Sequence, residues 1–223
     1  MTARRLAGVS DEDEDVTRTR AAYDAVAEDY AELLRDELAR SELDRAMLGA
    51  FAEQVARSGG GLVGDLGCGP GRIAGYLAGL GMDVAGVDLS PGMVEVARRE
   101  HPALRFEVAS MAALPFADAE LAGALAWYSV IHTPEERQAG LYAEFARVVR
   151  PGGPLLLAFQ VGDDVVHLTH AYGHDLDLRT RRQNPEAVKS RLEAAGFALT
   201  AELVAQPVPP QKSPQGYVLA RRL

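Results

Sequence analysis

The sequence is short of several things. It holds one cysteine, Cys68, so no intrachain disulfide and no cysteine metal cluster can form. It holds two lysines, Lys189 and Lys212, and its formal net charge is -9. That balance argues against a general nucleic-acid binder or a partner of anionic membranes, both of which need a surplus of basic side chains. No uninterrupted apolar run approaches the ~18 residues of a transmembrane helix. The first residues lack the apolar stretch of a signal peptide, since Leu6 to Val9 give way to an acidic run at Asp11 to Asp15. A cytoplasmic setting is expected.

What is present is ordinary for a globular chain: 223 residues, 48% hydrophobic and 25% charged. Residues 1–16 are expected to be an acidic, disordered tail. From 17 to 58 the apolar residues recur at helical steps, as in Tyr23, Val26, Ala27, Tyr30, Leu33 and Leu34. A second helix is expected from Ser41, with Asp44 three residues on as in a capping box.

From Leu62 onward, short apolar runs alternate with helical segments. Strands are expected at Leu62–Leu66, Asp83–Val87, Leu104–Val108, Leu121–Trp127 and Leu155–Phe159. Such alternation predicts a parallel, doubly wound α/β sheet. Residues 163–183 read as an inserted hairpin or extended cap. A helix from Pro185 and a closing strand pair complete a single domain over 17–223.

One turn carries most of the chemical information. Gly67, Gly69 and Gly71 alternate between the first strand and its helix, and glycines let the backbone turn sharply and approach a ligand. Helix N-termini and strand carboxyl ends make this the natural binding edge of such a sheet. The spacing is G-x-G-x-G, not the dinucleotide G-x-G-x-x-G. Asp65 precedes the first glycine, where a carboxylate is awkward beside a pyrophosphate but suits a cation. Asp88 ends the second strand, where it can accept both hydroxyls of a ribose. A ligand with a cation and a ribose fits S-adenosylmethionine better than NAD.

Three segments carry a family resemblance: Asp65-Leu66-Gly67-Cys68-Gly69-Pro70-Gly71, Gly86-Val87-Asp88-Leu89-Ser90-Pro91-Gly92-Met93, and Ser110-Met111-Ala112-Ala113-Leu114-Pro115-Phe116. Together they resemble the class I S-adenosylmethionine-dependent methyltransferases, over roughly residues 23–159. The resemblance implies a Rossmann-like, seven-stranded, mostly parallel sheet ordered 3-2-1-4-5-7-6. An N-terminal helical lid over 17–58 and an insertion after strand five would complete it.

It implies that Asp65 takes the cofactor ammonium and that Gly67 and Gly69 let the backbone pass beneath the cofactor. Asp88 would hold the ribose, with Leu89 and Met93 near the adenine and Ser110 and Met111 at its other edge. Ser110 stands where many relatives have Asp. Tyr23 and Tyr30 resemble the lid helix over the cofactor carboxylate. Trp127 and Tyr128 would flank the transferable methyl.

On the acceptor side, His132 follows strand four, and His167, His170 and His174 fall in the insertion. They fit a substrate pocket with a general base, a metal site or plain surface positions. His132 and His170 are taken as the catalytic candidates, and no metal ligand set is assigned. The function expected is methyl transfer to a small-molecule acceptor, O-methylation ahead of N- or C-methylation, by a monomer or homodimer without nucleic-acid or membrane partners. A nicotinamide-dependent oxidoreductase and a non-catalytic S-adenosylmethionine-binding module are the alternatives.

Overall fold

The alternation from Leu62 onward folds as the pattern predicts. In a computed structural model, described over residues 11–209 and 211–223 with side chains from residue 14, five parallel strands form the centre: β1 (Val63–Leu66), β2 (Val84–Asp88), β3 (Arg105–Val108), β4 (Gly123–Trp127) and β5 (Pro154–Gln160). Their crossovers contain α4 (Arg72–Gly79), α5 (Pro91–Glu100) and α6 (Glu135–Val148). After α7 (Pro185–Ala194), β8 (Phe197–Ala205) and β9 (Gln215–Arg222) close the sheet. The order is β3-β2-β1-β4-β5-β9-β8, with β9 antiparallel to both neighbours. With the two inserted strands left out of the count, this is the expected 3-2-1-4-5-7-6.

The sheet is apolar on both faces. Every residue of β1 and β4 is buried, as is β5 up to Phe159. One face packs Tyr142, Phe145, Leu155 and Phe159. The other packs Leu48, Phe51, Leu77 and Leu156. Each such side chain contributes ~1.5–3 kcal/mol of transfer free energy, so the sheet is a rigid base for the loops at its carboxyl edge.

The N-terminal region differs from its expected form. Helix α1 (Asp11–Leu34) takes in the acidic run assigned to the tail, and α2 (Glu37–Arg40) and α3 (Glu42–Arg57) follow. Acidic residues favour a helix N-terminus. Asp15 also has fixed partners, with Arg18 at 2.9 Å and Arg137 at 3.1 Å. The tail expected over residues 1–10 lies outside the described residues. At α3 only half of the capping box forms. Ser41 Oγ accepts from the Asp44 amide at 3.3 Å, whereas the Asp44 carboxylate accepts from Tyr217 Oη at 2.6 Å.

The insertion is a separate two-stranded hairpin, β6 (Val165–Ala171) and β7 (His174–Arg181). Its two-residue turn has positive φ at Tyr172 (55°) and Gly173 (80°), the arrangement that suits the twist of a hairpin. The Tyr172 ring packs on Tyr30 with centroids 4.9 Å apart, which brings the hairpin against α1.

Candidate functional site

The glycine turn follows β1 at the carboxyl edge of the sheet. Gly67 has φ +78°, and a Cβ there would lie 2.3 Å from Ser129 Cβ, so a side chain has no room. Gly69, at φ +53°, faces open space, and its amide donates to Asp88 Oδ2 at 2.8 Å. The second oxygen of Asp88 accepts from the Ser90 amide at 2.9 Å. One carboxylate thus fixes the turns after both β1 and β2. Burial pushes its pKa up, and these amides act in the opposite direction.

Ser90 caps α5 by accepting from the Met93 amide at 3.0 Å. Its hydroxyl donates to Asp24 Oδ1 of α1 at 2.5 Å, and the Gly92 amide donates to the same oxygen at 2.9 Å. These bonds hold α1 over the carboxyl edge of the sheet.

Between α1 and the sheet lies a cavity of about 410 Å³. Gly67, Gly69, Asp88, Leu89 and Met93 line one side of it, and Ser110 and Met111 another. Trp127 and His132 line it from the end of β4, and Tyr23 and Tyr30 from α1. Eleven of the thirteen residues singled out from sequence therefore share one cavity. Asp65 and His170 are the two that do not line it.

Asp65 lies in β1 just before the turn and is 1% exposed. Neither carboxylate oxygen has a hydrogen-bond partner. The Ala74 amide, in the first turn of α4, favours its charge without making a bond of good geometry. Burial, reinforced by the Asp88 charge, pushes its pKa up to about 7. A buried carboxylate without a partner is costly. Here it is matched to a cation that the chain itself does not supply.

His132 closes the short 3-10 turn Val130–His132 after β4. Its Nδ1 lies 3.1 Å from the carbonyl oxygen of Arg179 in β7, and its Nε2 lies 2.8 Å from Tyr23 Oη. A carbonyl can only accept, so Nδ1 carries the hydrogen. In the neutral ring, Nε2 then accepts from the Tyr23 hydroxyl. Burial pushes the His132 pKa down to about 4, so the ring is neutral at pH 7. The phenol of Tyr23 is held well above its ordinary value, chiefly by burial.

His170 is a correction. It stands on the exposed hairpin, with 63% of its side chain accessible, and pairs with Asp175 at 2.9 Å. The hairpin register places it opposite Asp175, away from the cavity. His167 pairs likewise with Asp177 at 2.7 Å, and His174 with Asp29 of α1 at 2.6 Å. Among the described residues, no group of three or more His, Cys, Asp or Glu could hold a metal ion.

Several lining residues escaped the sequence reading. Asp15, Val16 and Thr19 line the cavity one and two turns before Tyr23 on α1. They lay in or beside the stretch read as tail, although their three- and four-residue steps to Tyr23 were visible. Thr133, Glu136, Arg137 and Gly140 approach from the start of α6. Their signal was position alone: they begin the helix after strand four, at the ligand-binding edge of the sheet.

The likeness to known proteins agrees with this geometry. A family profile described as "Methyltransferase domain" matches residues 63–153. An uncharacterized methyltransferase of Mycobacterium marinum is 32% identical over 187 residues, covering 80% of this chain and 68% of that protein. A malonyl-[acyl-carrier protein] O-methyltransferase of Enterobacter lignolyticus is 32% identical over 152 residues, covering 68% of this chain and 57% of that protein. Among solved structures, the magnesium protoporphyrin IX methyltransferase of Synechocystis has a TM-score of 0.72 at 18% identity. That match covers 98% of this chain and 100% of that one.

The chain belongs to the class I S-adenosylmethionine-dependent methyltransferases. It spans 38–57% of the length of three curated O-methyltransferases that it matches, from Penicillium expansum, E. lignolyticus and Pyrenophora dematioidea.

Proposed function

We propose that the protein transfers a methyl group from S-adenosylmethionine to a small-molecule acceptor, with a hydroxyl as the favoured acceptor group. The observation that carries this reading is Asp65, a buried carboxylate without a partner beside a glycine turn and a second carboxylate at Asp88. Those residues fit an ammonium and a ribose. When bound, the cofactor supplies an electrophilic methyl on a sulfonium.

In this reading Asp65 takes the ammonium, and Asp88 accepts the ribose hydroxyls on lone pairs left free by the Gly69 and Ser90 amides. Gly67 and Gly69 let the backbone pass close beneath the ligand. Leu89 and Met93 pack near the adenine, with Ser110 and Met111 at its other edge. Trp127 flanks the reacting end. Residues 17–58 serve as the lid and 163–183 as the cap that narrows the acceptor site. The net charge of -9 supports a small acceptor rather than a nucleic acid, and a cytoplasmic monomer or homodimer suits such an enzyme.

Tyr23 and His132 provide a base. As the acceptor oxygen loses its hydrogen, Tyr23 Oη takes that proton and passes its own to His132 Nε2. The Arg179 carbonyl holds Nδ1–H throughout and stabilises the imidazolium that forms. His132 is neutral at pH 7, as a base must be. Closing α1 over the cavity orients the acceptor and excludes water. The relatives named as O-methyltransferases support a hydroxyl acceptor. No relative described above supports the nicotinamide reading, and the Tyr23–His132 pair favours an enzyme over a passive binding module.

The test uses S-adenosylmethionine with a labelled methyl and a panel of small hydroxyl and amine compounds. Labelled product with at least one hydroxyl compound is expected. Cofactor binding without transfer to any compound would support the passive module instead.

A further inference from the structure

Arg72 is the first residue of α4, directly after the glycine turn. Its Nη2 pairs with Glu37 Oε2 of α2 at 3.3 Å, and its side chain is 17% exposed. Its Nη1 is buried and has no hydrogen-bond partner. A guanidinium nitrogen left this way forfeits its water without compensation, so it calls for a missing acceptor.

Asp65, on the other side of the same turn, is its opposite in sign. Both of its carboxylate oxygens are buried and unpartnered. The Arg72 charge acts on Asp65, yet no hydrogen bond joins the two. Two opposite charges within electrostatic reach, each missing a partner, are arranged to receive a ligand that carries both signs. The same Arg72 charge acts on Tyr30 and Tyr128, which line the cavity. The guanidinium therefore lies close behind the cavity wall between α1 and the sheet. The Glu37 pair fixes one arm of the guanidinium fork and leaves the other to a ligand oxygen.

We propose that Arg72 Nη1 anchors the carboxylate of the cofactor's amino-acid end, as the partner of Asp65 at its ammonium. This rests on the reading of the cavity as an S-adenosylmethionine site. The sequence analysis gave the carboxylate no charged partner. Arg72 closes that gap with a charge-assisted bond in a dry setting. The contact is the same before and after methyl transfer, so it raises affinity and leaves the chemical step alone. Arg72 is a binding residue and not a catalytic one.

The test is titration calorimetry with two probes that differ only in the carboxylate: S-adenosylmethionine and its decarboxylated form. Arg72→Met should weaken S-adenosylmethionine ~10- to 100-fold, the range of a hydrogen bond to a charged group. The decarboxylated probe should bind wild type and Arg72→Met within ~2-fold of each other. Arg72→Lys, which keeps the charge and the fold, should retain part of the discrimination between the probes. Equal loss of both probes in Arg72→Met, or no loss of S-adenosylmethionine, would overturn the assignment and leave the site reading intact. A wild-type protein that binds neither probe would overturn the site reading itself, and the Arg72 proposal with it.

Discussion

The Tyr23 hydroxyl donates to His132 Nε2 across 2.8 Å, from α1 to the turn after β4. The bond joins the helix that covers the cavity to the edge of the sheet, so closure and the proposed base are one arrangement. Tyr23→Phe and His132→Asn should each lower turnover by ~100-fold or more, the usual scale of a positioned base. S-adenosylhomocysteine affinity should stay within ~3-fold. The double variant should be about as slow as the worse single variant, because the two act as a unit. Initial rates for the four proteins check this, and additive losses would separate the pair.

Asp88 serves both fold and ligand in this account. Its oxygens hold the Gly69 and Ser90 amides at 2.8 and 2.9 Å. Asp88→Ala should weaken cofactor binding by at least ~10-fold and also lower the melting temperature, since two buried amides lose their acceptor. Calorimetry and thermal melting on one preparation measure both. Unchanged affinity would remove Asp88 from the site.

The buried Asp65 makes binding depend on pH. Its pKa is pushed up to about 7 in the folded chain, against ~3.9 when unfolded. The folded state therefore holds a proton where the unfolded state has lost it. The resulting stability is present at acid pH and fades as pH rises through about 7. Asp65→Asn should accordingly raise the melting temperature of the ligand-free protein more at pH 8 than at pH 5. An ammonium favours the ionised carboxylate, so cofactor affinity should rise from pH 5 to pH 7 with release of a proton. Titration in two buffers of different ionisation heat detects that proton, and Asp65→Asn should abolish it.

His132 acts in the opposite sense. Its pKa is about 4 in the folded chain, against ~6.5 unfolded. Between these values the unfolded chain gains a proton that the folded chain refuses, so stability falls as pH drops from about 6.5 to about 4. His132→Asn should soften that fall relative to wild type, measured as melting temperature against pH. Activity should stay level from pH 6 to 8 with respect to this group, because the imidazole is already neutral there.

His170 should matter little. It is exposed and paired with Asp175 away from the cavity, and such surface pairs contribute ~0–1 kcal/mol. His170→Ala should keep turnover within ~2-fold of wild type.

The sheet and the cofactor edge were legible because their signals are local. Strand runs such as Leu155–Phe159 are continuous and apolar, and Gly67 and Gly69 need their positive φ within a few residues of Asp65 and Asp88. The acceptor side was less legible. His132 is joined to Tyr23 by a contact spanning 109 residues, and no periodicity encodes such a contact. His170 was misread because sequence order put it in the insertion, while strand alternation and its pairing with Asp175 decided which way it faced. The acidic run was read as solvated tail because its partner Arg137 lies 122 residues away. Arg72 was passed over because an arginine at the start of a helix has no signal until its missing partner is seen.

The central claim is that the cavity between α1 and the sheet holds S-adenosylmethionine. Titration calorimetry of the full chain with S-adenosylhomocysteine and, separately, with NAD tests it most directly. Saturable binding of S-adenosylhomocysteine at one site per chain, with none of NAD, is the predicted result. Saturable binding of NAD with none of S-adenosylhomocysteine would contradict it.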